Sequence, residues 1–237
     1  MAATTVCLIP CCSTKFADGV ILDPAHSLSR DDLPHMFEAL VRGRQARAKC
    51  IETASARTTA LHLYRGYFYQ PLVKVMENLV ARLSSGELRL LIISAGYGLV
   101  DAREPLHKYN AEMKGAVARS WRDIGLSGII ADILLHDRPE RVLGFFAGER
   151  SWSASSANYR YFYTQGLQQA VRGGLNPLVA GCFYRSGGMG SRPILTELGK
   201  VFSRYITGAL DVGAAEDLMQ SQWGAGQVTV RFDRVTG

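Results

Sequence analysis

The residues best suited to chemistry follow an apolar run in the middle of the chain, Leu88–Ser94. Tyr97 stands between two glycines just after this run, and the carboxylates of Asp101 and Glu104 come next. Glycines on both sides allow a sharp turn that would push the Tyr97 ring outward, where it could stack on a base. Cleavage of a base–sugar bond builds positive charge on the sugar, which a fixed carboxylate stabilises. The alternative is that Tyr97 is a core ring and that Asp101 and Glu104 cap the next helix.

Further candidates lie in the same loop and in the loop after a second apolar run, residues 142–147. The amide of Asn110 could position water or the leaving base, and Glu149 is an alternative catalytic carboxylate at an equivalent strand end. Arg150 and Trp152 follow Glu149 and combine the charge and the aromatic ring that suit contact with phosphates and bases. The pattern assigns Tyr159, Phe162 and Tyr163, further along, to one apolar face of a helix rather than to a binding surface.

Cationic side chains near other strand ends are candidates for phosphate contact. Ser13 and Lys15 follow the first apolar segment, and Lys15 could approach a phosphate or be a solvated loop lysine. Arg185 and Arg192 enclose a glycine-rich stretch before Pro193, the expected first residue of a helix, whose N-terminal amides could bind an anion. This stretch lacks the spacing of a Walker A loop or a dinucleotide fingerprint, so we expect DNA-phosphate contact and no nucleotide cofactor.

Composition narrows the class of protein. The 237 residues carry 27 Lys and Arg against 21 Asp and Glu, a net charge of +6, which suits an anionic partner but also serves solubility alone. The five cysteines are too few and too irregularly spaced for a disulfide framework or a zinc site, so we expect no metal. The absence of a long apolar run and of a signal-like start predicts a cytoplasmic protein without membrane contact.

The elements that position these residues alternate along the chain. Apolar runs predict strands at residues 4–10, 88–94, 142–147, 178–183 and 227–232. Helical spacing predicts helices at residues 31–51, 61–83, 112–135, 158–171, 193–206 and 214–220. This order predicts an α/β fold, a mostly parallel mixed sheet with helices on both faces, in a single three-layer domain over residues 1–237 with a helical insertion at about 25–85. Ligands of such folds bind outside the carboxyl ends of the strands, where the loops at 10–15, 95–110, 148–156 and 184–192 should meet.

Residues 93–113, ISAGYGLVDAREPLHKYNAEM, resemble the motif of the YaaA family of bacterial peroxide-stress proteins and its smaller relatives. That motif has a strand ending in Ser-Gly/Ala-x-Tyr-Gly-Leu, then an acidic residue, then Pro-Tyr and a polar residue. The matching positions are Ser94, Tyr97, Gly98, Leu99, Glu104, Tyr109, Glu112 and Met113, and Asp101 matches an acidic position of the smaller relatives. Residues 8–15, LIPCCSTK, are similar to the opening strand and loop of the family. The chain departs from the motif at Lys108, where the family has Pro, and at Asn110, where it has Arg or Asp.

The resemblance implies a mixed α/β fold, DNA binding and a link to DNA damage or modified bases. We assign Ser94 and Tyr109 of the motif to substrate or DNA binding. The leading hypothesis is a DNA glycosylase that hydrolyses the N-glycosidic bond of a modified base without a cofactor, in DNA repair or anti-phage defence. The alternatives are a non-catalytic DNA-binding protein of peroxide stress and an enzyme of modified-nucleotide metabolism.

Overall fold

A sheet of seven strands organises the chain in the computed structural model, which describes residues 4–148, 159–187, 191–226 and 228–236. The strands of this sheet are β1 (Thr5–Pro10), β3 (Leu88–Ser94), β4 (Gly98–Asp101), β6 (Arg141–Phe146), β7 (Val179–Gly187), β8 (Gln222–Trp223) and β9 (Thr229–Arg234). Their order is β4-β3-β1-β6-β7-β9-β8. The strands β3, β1, β6 and β7 are parallel, and β4, β8 and β9 pair antiparallel at the two edges. The predicted mostly parallel, mixed α/β fold is confirmed.

Helices cover both faces of the sheet. They are α1 (Phe37–Ala46), α2 (Ala60–Leu63), α3 (Met76–Ser84), α4 (Gly115–Ile124), α5 (Leu126–Asp137), α6 (Tyr159–Arg172), α7 (Ser191–Ile206) and α8 (Ala215–Gln220). Consecutive strand residues point to opposite faces. Accordingly, the Phe145 ring packs 5.0 Å from Phe202 of α7, while the Phe146 ring packs 5.2 Å from Tyr163 of α6.

The two long helices predicted before β3 are shorter and more broken in the structure. The first begins only at Phe37, because Pro34 lies in the preceding turns and the Asp132 carboxylate of α5 accepts the N–H groups of His35 and Met36. The second is divided into α2, a 3₁₀ helix over Gln70–Val75 and α3. Pro71 lies inside the 3₁₀ helix and lacks the N–H that a continuous α-helix requires there.

The predicted loop at residues 95–110 contains two short strands. After a tight turn, β4 runs back along β3, with Leu99 and Val100 buried. Further on, β5 (Pro105–Leu106) pairs with β2 (Thr58–Thr59) in a separate two-stranded sheet. These strands have two to four residues, too short for a periodic pattern, so the expectation of an open loop was wrong here.

The remaining predicted elements agree with the structure within a few residues. The apolar runs of β1, β3 and β6 are almost wholly buried, as strands covered on both faces should be. The interruption expected near Gly125 separates α4 from α5, and Gly125 has φ +92°, which favours glycine. Within the described residues, no helix is both long and apolar enough to cross a membrane.

Candidate functional site

The carboxyl ends of the parallel strands meet at one edge of the sheet. Neighbouring strands end there at Pro10, Ser94, Phe146 and Gly187. The 3₁₀ helix and α3, through which the chain enters β3 beside β1, lie on the face of the sheet that carries α7, and Phe68 packs there with Phe202. After β6 the chain enters α6 on the other face, where Tyr163 packs with Phe146. Such a change of direction between adjacent strands opens a crevice beside β1.

A cavity of about 350 Å³ occupies this crevice. Its walls come from residues 10–14 after β1, Gly66–Phe68, residues 112–114, Tyr159 at the start of α6 and Leu195 of α7. Its volume lies at the lower end of the roughly 300–1,000 Å³ typical of small-ligand sites. The cavity is therefore large enough for a small ligand, but of the four loops predicted to meet only the one at 10–15 contributes to its described wall.

Buried hydroxyl and thiol groups form a hydrogen-bonded cluster behind the cavity. The Ser94 hydroxyl donates to the Tyr109 hydroxyl at 3.0 Å, and the hydroxyl oxygens of Tyr109 and Tyr64 are 3.1 Å apart. The Cys11 Sγ lies 3.1 Å from the Tyr159 hydroxyl. Burial is the main cause that raises the pKa of Tyr64, Tyr109 and Tyr159 above the ordinary value, so these hydroxyls keep their protons at neutral pH.

The Cys12 thiol lies at the wall of the cavity and is held by the backbone on two sides. The Gly66 N–H donates to its Sγ at 3.2 Å, and the thiol donates to the Thr14 carbonyl at 2.9 Å. Burial raises the pKa of Cys12 to about 11. The group is therefore a neutral thiol at pH 7 and a poor nucleophile.

Lys15 and Ser13, both predicted to bind substrate or DNA, lie in the loop that borders the cavity. Ser13 is exposed and contributes to the wall. The Lys15 ammonium is 4.0 Å from the centroid of the Tyr109 ring, a cation–π contact, and it donates to the Ser13 carbonyl at 3.4 Å. Ser94, Tyr109, Ser13 and Lys15 are thus brought together, as the sequence led us to expect.

Glu112 is the carboxylate that the structure places at the cavity. It lies in the wall next to Lys114, with which it forms an ion pair. The hydrogen bond and charge of Lys114, with a smaller effect of Lys15, hold the pKa of Glu112 below its ordinary value. The carboxylate is therefore ionised at neutral pH and exposed to a ligand. Glu112 matches the motif three residues after Tyr109, but no role was predicted for it.

Glu104, by contrast, is 4% exposed and is held in a bidentate ion pair. Arg44 of α1 donates to its two oxygens at 2.7 and 3.1 Å, and the Ser27 hydroxyl donates to one of them at 3.2 Å. The same guanidinium donates to the carbonyls of Tyr97 and Leu99 at 3.2 and 2.8 Å. Glu104 and Arg44 thereby fix the β3–β4 turn against α1.

Asp101 is likewise buried, at 1% exposure, beside three basic side chains. His26 Nε2 lies 3.1 Å from its carboxylate, Arg103 Nε 3.2 Å and Arg89 Nε 3.4 Å. Burial alone would raise the pKa of Asp101, but the hydrogen bonds and charges of His26 and Arg103 outweigh it and lower the pKa. Neither Asp101 nor Glu104 is part of the cavity wall described above.

The ring of Tyr97 is half-buried, so the expectation that it points outward was wrong. Its hydroxyl accepts the His107 N–H at 3.2 Å and donates to the His107 carbonyl at 3.3 Å. A Cβ on Gly96 would lie 2.6 Å from the Tyr109 ring, and one on Gly98 would lie 2.6 Å from the Trp121 ring. The lack of a side chain at Gly96 and Gly98 therefore leaves room for the rings of Tyr109 and Trp121, and this packing cannot be seen in the local sequence.

The other predicted residues are spread around this edge of the sheet. Asn110 is exposed, and its N–H donates to the Cys50 carbonyl at 2.9 Å. The Arg192 guanidinium lies 4.7 Å from the centroid of the Tyr67 ring, which puts a cation at the cavity wall. Arg185 is half-buried in β7, opposite Val230 of β9. Glu149, Arg150 and Trp152 lie outside the described residues.

Tyr159 differs from the core position that its helical pattern predicted. Phe162 and Tyr163 of the same helix are fully buried, as expected. Tyr159 is only partly buried and lines the cavity with its hydroxyl beside Cys11. Because Tyr159 begins α6, it lies near the carboxyl ends of the strands, where a core-facing side chain also reaches the cavity.

No group of three or more His, Cys, Asp or Glu side chains in the described ranges is placed to hold a metal ion. Comparison of the chain with family models, curated proteins and solved structures finds no match in any of the three. The resemblance to the YaaA family accordingly stays a prediction from residues 8–15 and 93–113.

Proposed function

We propose that the cavity beside β1 is the active site of a DNA glycosylase that releases a modified base. The observation that carries the proposal is the joint presence of the Glu112 carboxylate, the rings of Tyr67 and Tyr159 and the cations Lys114 and Arg192 around one strand-end cavity. Aromatic walls suit a base extruded from its stack, and the cations suit the flanking phosphates.

The reaction needs few groups. As the bond from the sugar C1′ to the base nitrogen breaks, its electron pair leaves with the base and positive charge develops on the sugar. The Glu112 carboxylate, which is ionised at neutral pH, stabilises that charge. The Tyr159 hydroxyl, which keeps its proton, can donate a hydrogen bond to the departing base. A water oxygen then bonds to C1′ and gives up one proton, which balances the charge on the released base.

The test is single-turnover base release by wild type and by Glu112→Gln, on DNA carrying a panel of methylated, deaminated and oxidised bases. We expect the variant to release base on the order of a hundredfold more slowly, because it keeps the shape and removes the charge. The matched control is Glu216→Gln in α8, since Glu216 is 67% exposed and paired with Arg234, much as Glu112 is 57% exposed and paired with Lys114.

An unchanged rate in Glu112→Gln would remove Glu112 from the mechanism. The burial of Asp101 and Glu104 in ion pairs favours a second candidate, a DNA-binding protein without catalysis. Wild type that binds DNA and releases no base from the whole panel would support this second candidate. A protein that binds no DNA at low salt would contradict both.

A further inference from the structure

A large apolar side chain stands exposed in the loop that borders the cavity, two residues after Thr14 of the cavity wall. Phe16 is 61% exposed, and Val20, Ile21 and Leu22, a few residues on, are about 40% exposed each. Single exposed apolar side chains are common on protein surfaces, so the exposure of Phe16 alone is no sign of a partner. Its place two residues from the cavity wall makes the ring available to a ligand that extends beyond the cavity.

The backbone around Phe16 is anchored by hydrogen bonds, which fix the position from which its side chain extends. The Phe16 N–H donates to the Leu63 carbonyl at 2.8 Å, and the Arg65 N–H donates to the Thr14 carbonyl at 3.0 Å. Between them, Lys15 and Tyr64 form a β-bridge. The exposure of Phe16 is therefore maintained by hydrogen bonds to the segment that also forms the cavity wall at Gly66.

The spacing matches that of a nucleic-acid strand. Thr14 lines the cavity and Phe16 is two residues further on, at most about 7 Å of backbone away. Successive bases of a strand are about 3.4 Å apart along the helix axis. A ring at this distance thus reaches the base one or two steps from a base held in the cavity, with Lys15 between them.

We infer that Phe16 stacks on the base next to the extruded nucleotide and holds the strand while that nucleotide occupies the cavity. The inference rests on the proposed function, since it takes the occupant of the cavity to be one nucleotide of a DNA strand. Stacking of an aromatic side chain on a base is tolerant of sequence, so Phe16 would add affinity without choosing the modified base.

The experiment measures binding of an end-labelled single-stranded DNA oligonucleotide by anisotropy over a range of NaCl concentrations. Phe16→Ala should bind roughly tenfold more weakly at every salt concentration. The slope of affinity against salt should not change, because a stacking ring releases no counterions. Phe16→Trp should restore binding. Leu178→Ala is the matched control, because Leu178 is 65% exposed and precedes β7 at the opposite edge of the sheet.

The outcomes separate this inference from the proposed function. Wild-type binding by Phe16→Ala, with its thermal unfolding unchanged, overturns the stacking role and leaves the cavity proposal standing. If the wild-type protein binds the oligonucleotide but releases no base, the proposed glycosylase activity is wrong. The comparison of Phe16→Ala with wild type then still shows whether Phe16 stacks on a base. If Phe16→Ala instead turns a dimer into a monomer without DNA, the exposed ring serves self-association and the inference is wrong.

Discussion

Replacement of Glu104 by Gln should destabilise the protein rather than slow a reaction. The carboxylate accepts two hydrogen bonds from Arg44 and one from Ser27, and it is almost fully buried. A glutamine at this position keeps one acceptor oxygen but turns an NH₂ group toward a guanidinium that can only donate. The variant therefore leaves a largely buried cation without its counter-charge.

The expected loss follows from the exposure of the two partners. Removal of one partner of a buried ion pair costs about 3–5 kcal/mol, and the 22% exposure of the Arg44 side chain favours the low end. A loss of about 3 kcal/mol in a domain of this size lowers the melting temperature by about 6–12 °C. Arg44→Met should cost a similar amount, and the double variant should cost much less than the sum of the two.

The assay is thermal and urea-induced unfolding of wild type, the two single variants and the double variant. Glu112→Gln is the comparison, and it should leave the melting temperature unchanged because its carboxylate is exposed. Base release is then measured well below the melting temperature of Glu104→Gln. A variant that melts like wild type yet loses base release would refute this reasoning and return Glu104 to the reaction.

Three further predictions concern the same edge of the molecule. The pKa of Asp101 is lower in the folded than in the unfolded chain, so the ionised carboxylate stabilises the fold above about pH 4, and this contribution is lost as the pH falls further. In acid unfolding, the free energy of unfolding of Asp101→Asn should therefore fall less steeply with decreasing pH than that of wild type. Gly98→Ala should destabilise by about 1–3 kcal/mol more than Gly86→Ala in urea unfolding, because both have φ near +75° but only Gly98 faces the Trp121 ring; equal losses would show that backbone strain alone matters. Arg192→Ala should weaken DNA binding and reduce the slope of log affinity against log salt by about one, and an unchanged slope would place Arg192 away from the phosphates.

The sequence was sufficient for those parts of the fold that local pattern determines. The runs at β1, β3 and β6 are apolar because both faces of these strands are covered, so composition alone marks them. The order of strands and helices then leaves few topologies, and the meeting of polar loops at one edge follows. Of the described cavity wall, only residues 10–14 come from a loop that was predicted to take part.

The burial of Glu104 and Asp101 in ion pairs was not predictable from local pattern, because each carboxylate pairs with residues far away in the sequence. Arg44 is 60 residues from Glu104, and His26 is 75 residues from Asp101. Neither the helix that contains Arg44 nor the loop that contains His26 has a sequence motif that would predict these pairs. The role of Gly98 is equally remote, since it is defined by the ring of Trp121 in α4. A motif identifies residues under constraint but leaves open whether packing or chemistry imposes it.

The contrast between Glu104 and Glu112, eight residues apart, shows which constraint applies to each. A carboxylate that acts on a substrate must keep part of its surface available to it, and three donors already occupy the buried oxygens of Glu104. Glu112 instead pairs with Lys114 at the surface, and its own side chain is 57% exposed, so part of the carboxylate stays open to a ligand. The ion pair of Glu104 fixes β4 and the turn before it, and the chain that follows leads through Tyr109 to the cavity wall. The buried ion pair of Glu104 and Arg44 thus helps to hold in place the segment that carries the exposed Glu112.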